Sequence, residues 1–330
     1  MPPMRAWLLD QFEGLSHLHL VEASDPQPAS GEVVLDIQFA ALNPADRYLS
    51  QGDYPARPPL PHVLGRDGIG TVAALGPGAH QFKIGQQLLI LRGDTGVNRW
   101  GTFAQRAAVA TDSLVIPPDG WTPQQSAAAP LVYLTAYQAL TQWGDLPPSI
   151  VLITGASGGV GVAAIHLAKA MNHTVVALSR GSTKRQKLLQ VGADHVMDPT
   201  QANWPKELLE RLADRRVDLA VDNIGGPLLP QVIQTMAPGG RISLVGRLAG
   251  PVPEFNTAAL FFRRLKLGGV AVGTYSRPQA HAAWQAVVRL LAQTGAKPLV
   301  DAVFPFDQLP QAFQRLADGP MGKILLKIGI

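Results

Sequence analysis

The feature that most constrains this chain is an apolar run that leads directly into a glycine-rich turn. The run is IVLIT (150–154), the turn is GASGGVG (155–161), and the residues after it have the apolar spacing of an amphipathic helix. Glycines in a turn between strand and helix let backbone N–H groups approach a pyrophosphate at the positive end of the helix. We therefore predict dinucleotide binding by the turn residues Gly155, Ala156, Ser157, Gly158, Gly159, Val160 and Gly161.

The same turn also fits the G-x-S-x-G pattern of serine hydrolases. Asp222 and His281 follow it in the order that such a catalytic triad requires. However, the strand before the turn opens the predicted sheet instead of standing in its middle, and no HGGG-type oxyanion loop precedes it. The sequence therefore favours a dinucleotide site over a hydrolase.

The pattern of apolar runs changes along the chain, which predicts two domains. The length of 330 residues also favours two domains. Up to about residue 118, short apolar runs such as 33–37 and 87–91 alternate with Gly and Pro, which predicts a small β-rich domain. From residue 150, apolar runs alternate with helical patterns, which predicts an α/β domain with a doubly wound parallel sheet. The predicted strands are 150–154, 174–179, 195–198, 218–223, 241–246 and 268–273.

The helices of this second domain are also predicted. The helix after the glycine turn is expected to bury one stripe, and Gly192 to end the helix that follows. That stripe consists of Val160, Ala163, Ala164, Leu167, Ala168 and Met171. A further helix is predicted at 278–294. Because the tail is too short for a core of its own, it is expected to return to the β-rich domain. The predicted boundaries are 1–120 for the β-rich domain, 121–268 for the nucleotide-binding domain and 269–330 for the return segment.

The end of the second predicted strand indicates which dinucleotide binds. A site for NAD carries Asp or Glu about 20 residues after the turn, where it accepts a hydrogen bond from the ribose 2′-hydroxyl. Here the strand leads into SRGSTKR (179–185), which contains cations and no carboxylate. Because guanidinium and ammonium groups attract a 2′-phosphate, we predict NADPH, bound by Ser179, Arg180 and Lys184. The alternative is that Lys184 and Arg185 only decorate an exposed helix start.

Composition excludes several classes of site. The chain has no cysteine, which excludes disulfides, thiolate nucleophiles and thiolate-bound metals. Its net charge of +4 comes from scattered Lys and Arg, so no nucleic-acid partner is expected. No apolar stretch approaches about 20 residues, and no signal peptide is recognisable, so a cytoplasmic protein without membrane association is expected.

Four short segments resemble recurrent blocks of the medium-chain dehydrogenase/reductase superfamily, in the same order and spacing. They are NPAD (43–46), PHVLGRDGIG (61–70), LTAY (134–137) and DNIGG (222–226). The resemblance covers essentially the whole chain and is greatest to the zinc-free quinone oxidoreductases and enoyl thioester reductases. It implies a GroES-like β-rich catalytic domain combined with a Rossmann domain.

The positions of the family's zinc ligands are altered in this chain. Zinc-dependent members carry a Cys near the start, a His-Glu pair after a Gly, and further cysteines in a structural lobe. Here the first position is Asn43, the pair is Arg66 and Asp67, and the lobe is missing. Since a guanidinium has no lone pair for zinc, we predict no metal site there. Without a Lewis acid, a conjugated acceptor is a more suitable substrate than a simple alcohol.

The resemblance also implies roles for residues around the nicotinamide. The ring is expected in the cleft near Asn43 and Thr135, with Asn223 and Gly246 lining the crevice at the carboxyl ends of strands. Lys323 is expected to reach the cofactor or the rim of the cleft. Of these residues, Asn43 is also a candidate for the catalytic step.

Three further residues are candidates for contact with the substrate. Tyr54 occupies the position of a tyrosine that helps enoyl thioester reductases to orient or protonate their substrate; its alternative role is only to shape the mouth of the cleft. Arg66 either forms a buried ion pair with Asp46 or Asp67, or faces an anionic substrate group. Phe262 is expected either at the substrate opening or in a core.

The predicted function is zinc-independent, NADPH-dependent transfer of hydride to a small conjugated acceptor, a quinone or an α,β-unsaturated carbonyl. One alternative is an enoyl thioester reductase, which would need a tunnel for an acyl chain. Another is a protein that binds NADPH without turnover. By resemblance, a homodimer is expected to form through the edge of the nucleotide-binding sheet.

Overall fold

The computed structural model describes residues 3–91, 93–251 and 255–329. The chain forms two compact units, and each has its own buried apolar core. The first unit consists of Met1–Leu131, Tyr275–Trp284 and Lys297–Ile330, and the second of Val132–Thr274 and Gln285–Ala296. The domain boundaries after residues 120 and 268 stay predictions.

The elements up to residue 127 are short strands and two helices. They are, in chain order, Met4–Leu9 (β1), Leu18–Ala23 (β2), Glu32–Ala41 (β3), Pro44–Ser50 (α1), His62–Val63 (β4), Asp67–Leu75 (β5), Gln87–Ile90 (β6), Arg106–Ala110 (β7), Leu114–Val115 (β8) and Pro123–Ala127 (α2).

The elements from residue 130 onward alternate between helix and strand. They are Pro130–Thr141 (α3), Ile150–Ile153 (β9), Gly159–Ala170 (α4), Thr174–Leu178 (β10), Ser182–Val191 (α5), His195–Met197 (β11), Trp204–Arg211 (α6), Val217–Asp222 (β12), Leu229–Thr235 (α7), Met236–Leu244 (β13), Ala258–Arg263 (α8), Lys266–Gly269 (β14), Arg277–Thr294 (α9), Val300–Pro305 (β15), Leu309–Ala317 (α10) and Lys323–Lys327 (β16).

The first unit is β-rich, as its sequence predicts, and β3 is central to it. Its larger sheet has the order β15-β16-β3-β5-β6-β8, with β7 also paired to β3, and a smaller sheet has the order β2-β1-β4. Antiparallel pairing opposes Ala41, at the end of β3, to Leu325 in β16 and to Asp67 at the start of β5. The residues next to these positions therefore meet at one end of the sheet.

The second unit contains a doubly wound parallel sheet, which confirms the predicted fold class. Its strand order is β11-β10-β9-β12-β13-β14, and every pair is parallel. The order reverses at β9. That is where ligands bind in sheets of this kind. Although β9 is the first strand of the unit along the chain, it lies inside the sheet, contrary to the expectation that it would not stand in the middle.

The last predicted strand, 268–273, is wrong in its bounds, since the strand is Lys266–Gly269 and Val272–Thr274 forms a 3-10 turn. The apolar run Val270-Ala271-Val272 suggested a buried strand. Instead β14 is an edge strand, and a polar residue such as Lys266 is accommodated there because one side has no neighbouring strand.

The predicted apolar stripe of α4 is buried at Ala163, Ala164, Leu167 and Ala168, but the burial extends beyond it. All residues from 161 to 168 are buried, which means that the helix is covered on every side. Small residues such as Gly161, Ala163 and Ala164 let neighbouring elements approach the helix on several faces. The predicted end of α5 is confirmed, because Gly192 follows Val191 with a φ of +119°. The helix predicted at 278–294 is confirmed as α9.

Candidate functional site

The glycine turn lies between β9 and α4 and depends on the absence of side chains. Gly155 has a φ of +56°, a left-handed conformation that favours glycine. A Cβ at Gly161 would lie 2.5 Å from the Cα and carbonyl oxygen of Ala156, so only glycine lets the helix pack this closely on the turn. At Gly158 the nearest atom to such a Cβ would be the Gly155 carbonyl oxygen, 3.5 Å away. A side chain would therefore clash with the backbone at Gly161, whereas Gly158 leaves space for one.

A second structural feature joins the carboxyl ends of β9 and β12. The Thr154 hydroxyl donates to a carboxylate oxygen of Asp222 at 2.6 Å and accepts from the backbone N–H of Asn223 at 2.9 Å. The Asn223 amide donates to the Thr154 carbonyl at 2.8 Å. A Cβ at Gly246 would lie 2.8 Å from the Asn223 carbonyl oxygen, so the backbones are closely apposed here as well. These contacts fix the crevice at the point where the strand order reverses.

The residues of this crevice fit a dinucleotide. Among the residues that the structure describes, Asn223 Oδ1 is a buried acceptor without a hydrogen-bond partner. Such an atom is satisfied in most proteins by a ligand or an ordered water. The first turn of α4 adds backbone N–H groups and the positive end of the helix, which stabilise a phosphate. Gly155 to Gly161 would hold the pyrophosphate, and Asn223 would accept from a ribose hydroxyl.

The segment after β10 contains the predicted contacts to a 2′-phosphate. Ser179 is buried, whereas Arg180 is exposed. Lys184 lies in the first turn of α5 and is half-buried. Arg185 has a role that the sequence did not reveal: it donates to the carbonyls of Ser179 and Arg180, both at 2.8 Å, and to the Asp198 carboxylate at 2.9 Å. Arg185 therefore holds the loop in shape.

In the first unit, five side chains form a buried polar cluster, called here the Asn43 cluster. Its members are Asn43, Asp46, Arg66, Asp67 and Lys323. Lys323 Nζ donates to Asn43 Oδ1 and to the Leu42 carbonyl, both at 2.7 Å, and lies 3.6 Å from Asp67 Oδ2. The Asn43 amide nitrogen donates to the same Asp67 oxygen at 3.0 Å. The structure thus brings together three predicted site residues, Asn43, Arg66 and Lys323, that are distant in sequence.

Arg66 pairs with Asp46 and not with its neighbour Asp67. Its Nε donates to Asp46 Oδ1 at 3.2 Å. Another guanidinium nitrogen donates to the Tyr54 hydroxyl at 3.0 Å, and the guanidinium carbon lies 4.8 Å from the centre of the Tyr54 ring. Tyr54 is only half-buried and therefore connects the cluster to solvent. Of the two carboxylate partners that the sequence left open, the structure selects Asp46.

The electrostatics of the Asn43 cluster are those of compensated buried charges. Burial raises the pKa of Asp46, and Arg66 opposes that rise. Burial likewise raises the pKa of Asp67 and lowers the pKa of Lys323, and these two groups oppose each other's shift. Two carboxylates and two cations are present, so the cluster is neutral when all four groups are charged. Each ionised group consequently depends on its partner.

Asp46 was not singled out as a site residue by sequence reasoning, although a local pattern indicates it. Asn43 precedes α1, Pro44 is its first residue, and Asp46 is its third. In such a capping pattern the third side chain reaches back to the backbone N–H before the helix. Asp46 does so, since its Oδ2 accepts from the Asn43 N–H at 2.9 Å. Its second oxygen is then directed to Arg66.

The remaining predicted residues lie in the second unit. Thr135 is half-buried in α3. Phe262 is 78 % exposed in α8, next to Phe261, whose ring centre is 4.3 Å away. Its exposure argues against the core alternative for Phe262. The role of both residues in binding stays a prediction.

The buried histidines have structural surroundings. His166 Nδ1 and the Tyr133 hydroxyl share a hydrogen bond of 2.8 Å inside the second unit. Burial lowers the pKa of His166 to about 4. Burial also lowers the pKa of His62, in the first unit, to about 4, and the nearby Arg66 adds to that effect. Both imidazoles are therefore neutral near pH 7.

Models of two domain families match this chain. The model described as "Alcohol dehydrogenase GroES-like domain" matches residues 29–119, and the model described as "Zinc-binding dehydrogenase" matches residues 159–293. These two domains in this order, with the β-rich sheet and the glycine turn described above, define an oxidoreductase with a nicotinamide-dinucleotide-binding fold. The chain belongs to the medium-chain dehydrogenase/reductase superfamily.

Within that superfamily the chain is similar to proteins with several names. It is 29 % identical to the "Synaptic vesicle membrane protein VAT-1 homolog" of Rattus norvegicus, over 99 % of this chain and 85 % of that one. It is 26 % identical to the "Quinone oxidoreductase" of Homo sapiens, over 98 % and 97 %. A crystal structure described as an NAD-dependent alcohol dehydrogenase superposes with a TM-score of 0.90 at 29 % identity, covering 99 % of this chain and 100 % of that chain. The predicted family is confirmed.

Of the helices that the structure describes, none combines the length and the apolarity of a membrane span.

Proposed function

We propose that this protein is a zinc-independent, NADPH-dependent reductase of conjugated acceptors, with quinones and α,β-unsaturated ketones as the substrate class. The observation that carries the proposal is the guanidinium of Arg66, which stands where zinc-dependent relatives have a histidine ligand and is engaged by Asp46 and Tyr54. A cation in this position favours an activity that uses hydrogen-bond donors instead of a metal.

Zinc independence is supported by the donor set of the Asn43 cluster. The chain has no cysteine, and an arginine offers no lone pair. The Asn43 amide donates to Asp67 and accepts from Lys323, so both of its polar atoms are engaged. Asp67 accepts from the Leu131 backbone N–H with its other oxygen at 3.1 Å. These residues do not fit a tetrahedral zinc site, and we derive no step through a metal.

The choice of NADPH is supported by the segment after β10. No carboxylate follows the strand, and Arg180 is exposed beside the first turn of α5. Because Arg185 neutralises Asp198, the carboxylate at the end of the adjacent strand does not oppose a 2′-phosphate. The NAD dependence of a related structure indicates that this fold also serves the other nucleotide, so the choice depends on side chains.

When bound, NADPH supplies the hydride that the acceptor receives. The residues of the chain contribute orientation and a proton. The Tyr54 hydroxyl accepts from Arg66, which leaves its own proton for donation to the oxygen on which negative charge develops. Arg66, fixed by Asp46, orients that phenol. Phe262 is proposed as a substrate contact, and an edge of the nucleotide-binding sheet as the surface through which two copies pair. The cytoplasmic location also stays a prediction.

The test is oxidation of NADPH by the purified protein with three acceptors: para-benzoquinone, a simple enone and crotonyl-CoA. We expect turnover of the quinone and the enone, with no loss after treatment with a chelator. Tyr54→Phe should lower kcat for the enone by about 10-fold or more, the effect of a lost proton donor. Tyr48→Phe, a half-buried tyrosine in α1, is the matched control and should retain the rate.

Each other outcome has a definite meaning. Preference for crotonyl-CoA would replace the proposal by an enoyl thioester reductase. Tight NADPH binding without turnover of any acceptor would indicate a protein that only binds the nucleotide. An unchanged kcat in Tyr54→Phe would remove the proton donor from the mechanism.

A further inference from the structure

A hairpin in the first unit brings two histidines and an aspartate together at the surface. β1 and β2 pair with Leu9 opposite Leu18, and the backbone N–H of Asp10 donates to the His17 carbonyl at 3.2 Å. The connection contains a short 3-10 turn, Leu15–His17. It is attached to α1, because the Gly14 N–H donates to the Ser50 carbonyl at 2.9 Å. The turn end of the hairpin is therefore held by backbone contacts.

The side chains at this turn end have the separations of metal ligands. His17 Nδ1 lies 3.1 Å from Asp10 Oδ1, and His19 Nε2 lies 3.4 Å from Asp10 Oδ2. One ligand atom from each of the three residues lies within 4.8 Å of the others. Since zinc binds nitrogen and carboxylate oxygen at about 2.0–2.2 Å in tetrahedral sites, neighbouring ligand atoms are then roughly 3.3–3.5 Å apart. Only small side-chain adjustments would be needed to close the group around an ion.

The second nitrogen of His17 faces another carboxylate. His17 Nε2 lies 3.6 Å from Glu13 Oε2, on the side away from Asp10. Histidines that bind metals commonly donate their other ring N–H to a carboxylate, which fixes the tautomer and makes the ligating nitrogen more basic. Glu13 is in the position for this outer role. The arrangement thus includes the inner ligands and one outer partner.

We propose that Asp10, His17 and His19 bind a divalent first-row transition metal such as zinc, with Glu13 as the outer partner of His17. The remaining coordination positions are open to water, because Asp10 and His19 are 48 % and 54 % exposed. Two imidazoles and one carboxylate suit zinc, nickel and copper better than magnesium or calcium, which prefer oxygen. The metal would join the end of β1 to the start of β2 and stabilise the hairpin.

The test is calorimetric titration of untagged, chelator-treated protein with zinc chloride, with magnesium chloride as the reference cation. We expect one zinc ion per chain in the native protein and no detectable magnesium binding. His17→Gln and His19→Gln should each weaken zinc binding by about 10-fold or more, and Glu13→Gln by roughly 10-fold, as for other outer partners. His80→Gln, an exposed histidine of the same unit, is the matched control and should bind zinc as the native protein does.

A second measurement uses thermal unfolding with and without zinc. Zinc should raise the midpoint for the native protein and for His80→Gln, but not for His17→Gln. Equal zinc binding by all variants, or no binding by the native protein, would overturn the proposal. The separations would then reflect ordinary contacts between the histidines and Asp10.

This site is independent of the proposed reductase activity, and one variant separates the two hypotheses. The double variant His17→Gln/His19→Gln should lose the bound zinc and keep its rate of NADPH oxidation. Zinc that remains bound in the double variant would lie elsewhere and would contradict this site. If a chelator then removed both that zinc and the activity, the zinc independence of the reductase would be contradicted as well. Loss of zinc together with a normal rate supports both proposals.

Discussion

The glycine turn of the second unit and the Asn43 cluster of the first unit are both polar, but they are built in opposite ways. The turn uses backbone: Gly161 packs where any side chain would clash with Ala156, and the groups proposed to bind a phosphate are N–H donors. The cluster uses side chains: Asp46, Arg66 and Lys323 are buried ionisable groups that depend on partners. The comparison indicates that added volume should damage the turn most, and that a lost charge should damage the cluster most.

The largest expected effect comes from removing one charge of the cluster. Asp46→Asn keeps the shape of the side chain but leaves the buried Arg66 without its carboxylate. We expect the free energy of unfolding to fall by about 3–5 kcal/mol, as for other broken buried ion pairs. The measurement is denaturation in urea near pH 7.

The control is a surface ion pair of the same unit. Asp36→Asn removes one of the two carboxylate partners of Arg106, the other being Asp25. The aspartate is 53 % exposed at this position, so the change should cost less than about 1 kcal/mol. Equal losses for the two variants would show that the charges of the cluster are not compensated as described, and the contrast between the two regions would disappear.

The next effect concerns volume in the turn. Gly161→Ala introduces a Cβ at 2.5 Å from backbone atoms of Ala156, so we expect a loss of about 2–3 kcal/mol in unfolding free energy. Gly158→Ala is the matched variant, since its Cβ has 3.5 Å of space. It should unfold like the native protein and yet bind NADPH more weakly, because the methyl group keeps a phosphate from the backbone. The measurements are urea denaturation and calorimetric titration with NADPH.

Two results would contradict this prediction. A stable Gly161→Ala protein would mean that the helix can move away from the turn without cost. Unchanged NADPH binding in Gly158→Ala would mean that the phosphate does not approach this part of the backbone.

The two regions also differ in how far the sequence predicts them. The turn is local, because the strand, the glycines and the helix follow one another within about two dozen residues. The sequence pattern therefore predicts both the structure of the turn and its phosphate-binding chemistry. The six strands of the parallel sheet were predicted from the same alternation, but their spatial order was not. By contrast, the bond from Thr154 to Asp222 joins residues 68 positions apart, and it requires the register of two strands. The edge strand β14 was misplaced because apolarity does not distinguish an edge from a nearby turn.

The Asn43 cluster is harder to predict because its members come from distant elements. Lys323 is 280 positions from Asn43, and only the pairing of β16 with β3 brings them together. Whether Arg66 pairs with Asp46 or with Asp67 could be predicted in part from the local sequence. Neighbouring residues in extended chain point to opposite faces, so Arg66 and Asp67 are directed apart. That rule, applied at the start of β5, would have favoured Asp46.

A smaller effect tests which cation contacts the 2′-phosphate and so distinguishes NADPH from NADH. Arg180→Ala should weaken NADPH relative to NADH by about 1–3 kcal/mol, the contribution of a charge-assisted hydrogen bond. Arg185→Ala is the contrasting variant, because Arg185 donates to its own loop and to Asp198. It should lower the unfolding midpoint and weaken both nucleotides alike. Titration with each nucleotide gives the answer, and equal weakening in Arg180→Ala would exclude it as the reader of the 2′-phosphate.

The smallest expected effect concerns protonation of His166, whose pKa is lowered by burial to about 4 from the usual 6.5. Below pH 6.5 the unfolded chain binds a proton that the folded state does not, so stability falls between about pH 6.5 and pH 4. In His166→Gln this part of the loss should be absent, about 1–2 kcal/mol near pH 5 relative to pH 7.

His80→Gln, at an exposed position, should keep the native pH dependence. Urea denaturation at the two pH values measures both. Because burial also lowers the pKa of His62 in the first unit and of His173 in the second, His166→Gln should remove only the contribution of His166 itself. If it abolished the acid loss in both units, or none of it, His166 would not be the neutral partner of Tyr133 that the hydrogen bond indicates.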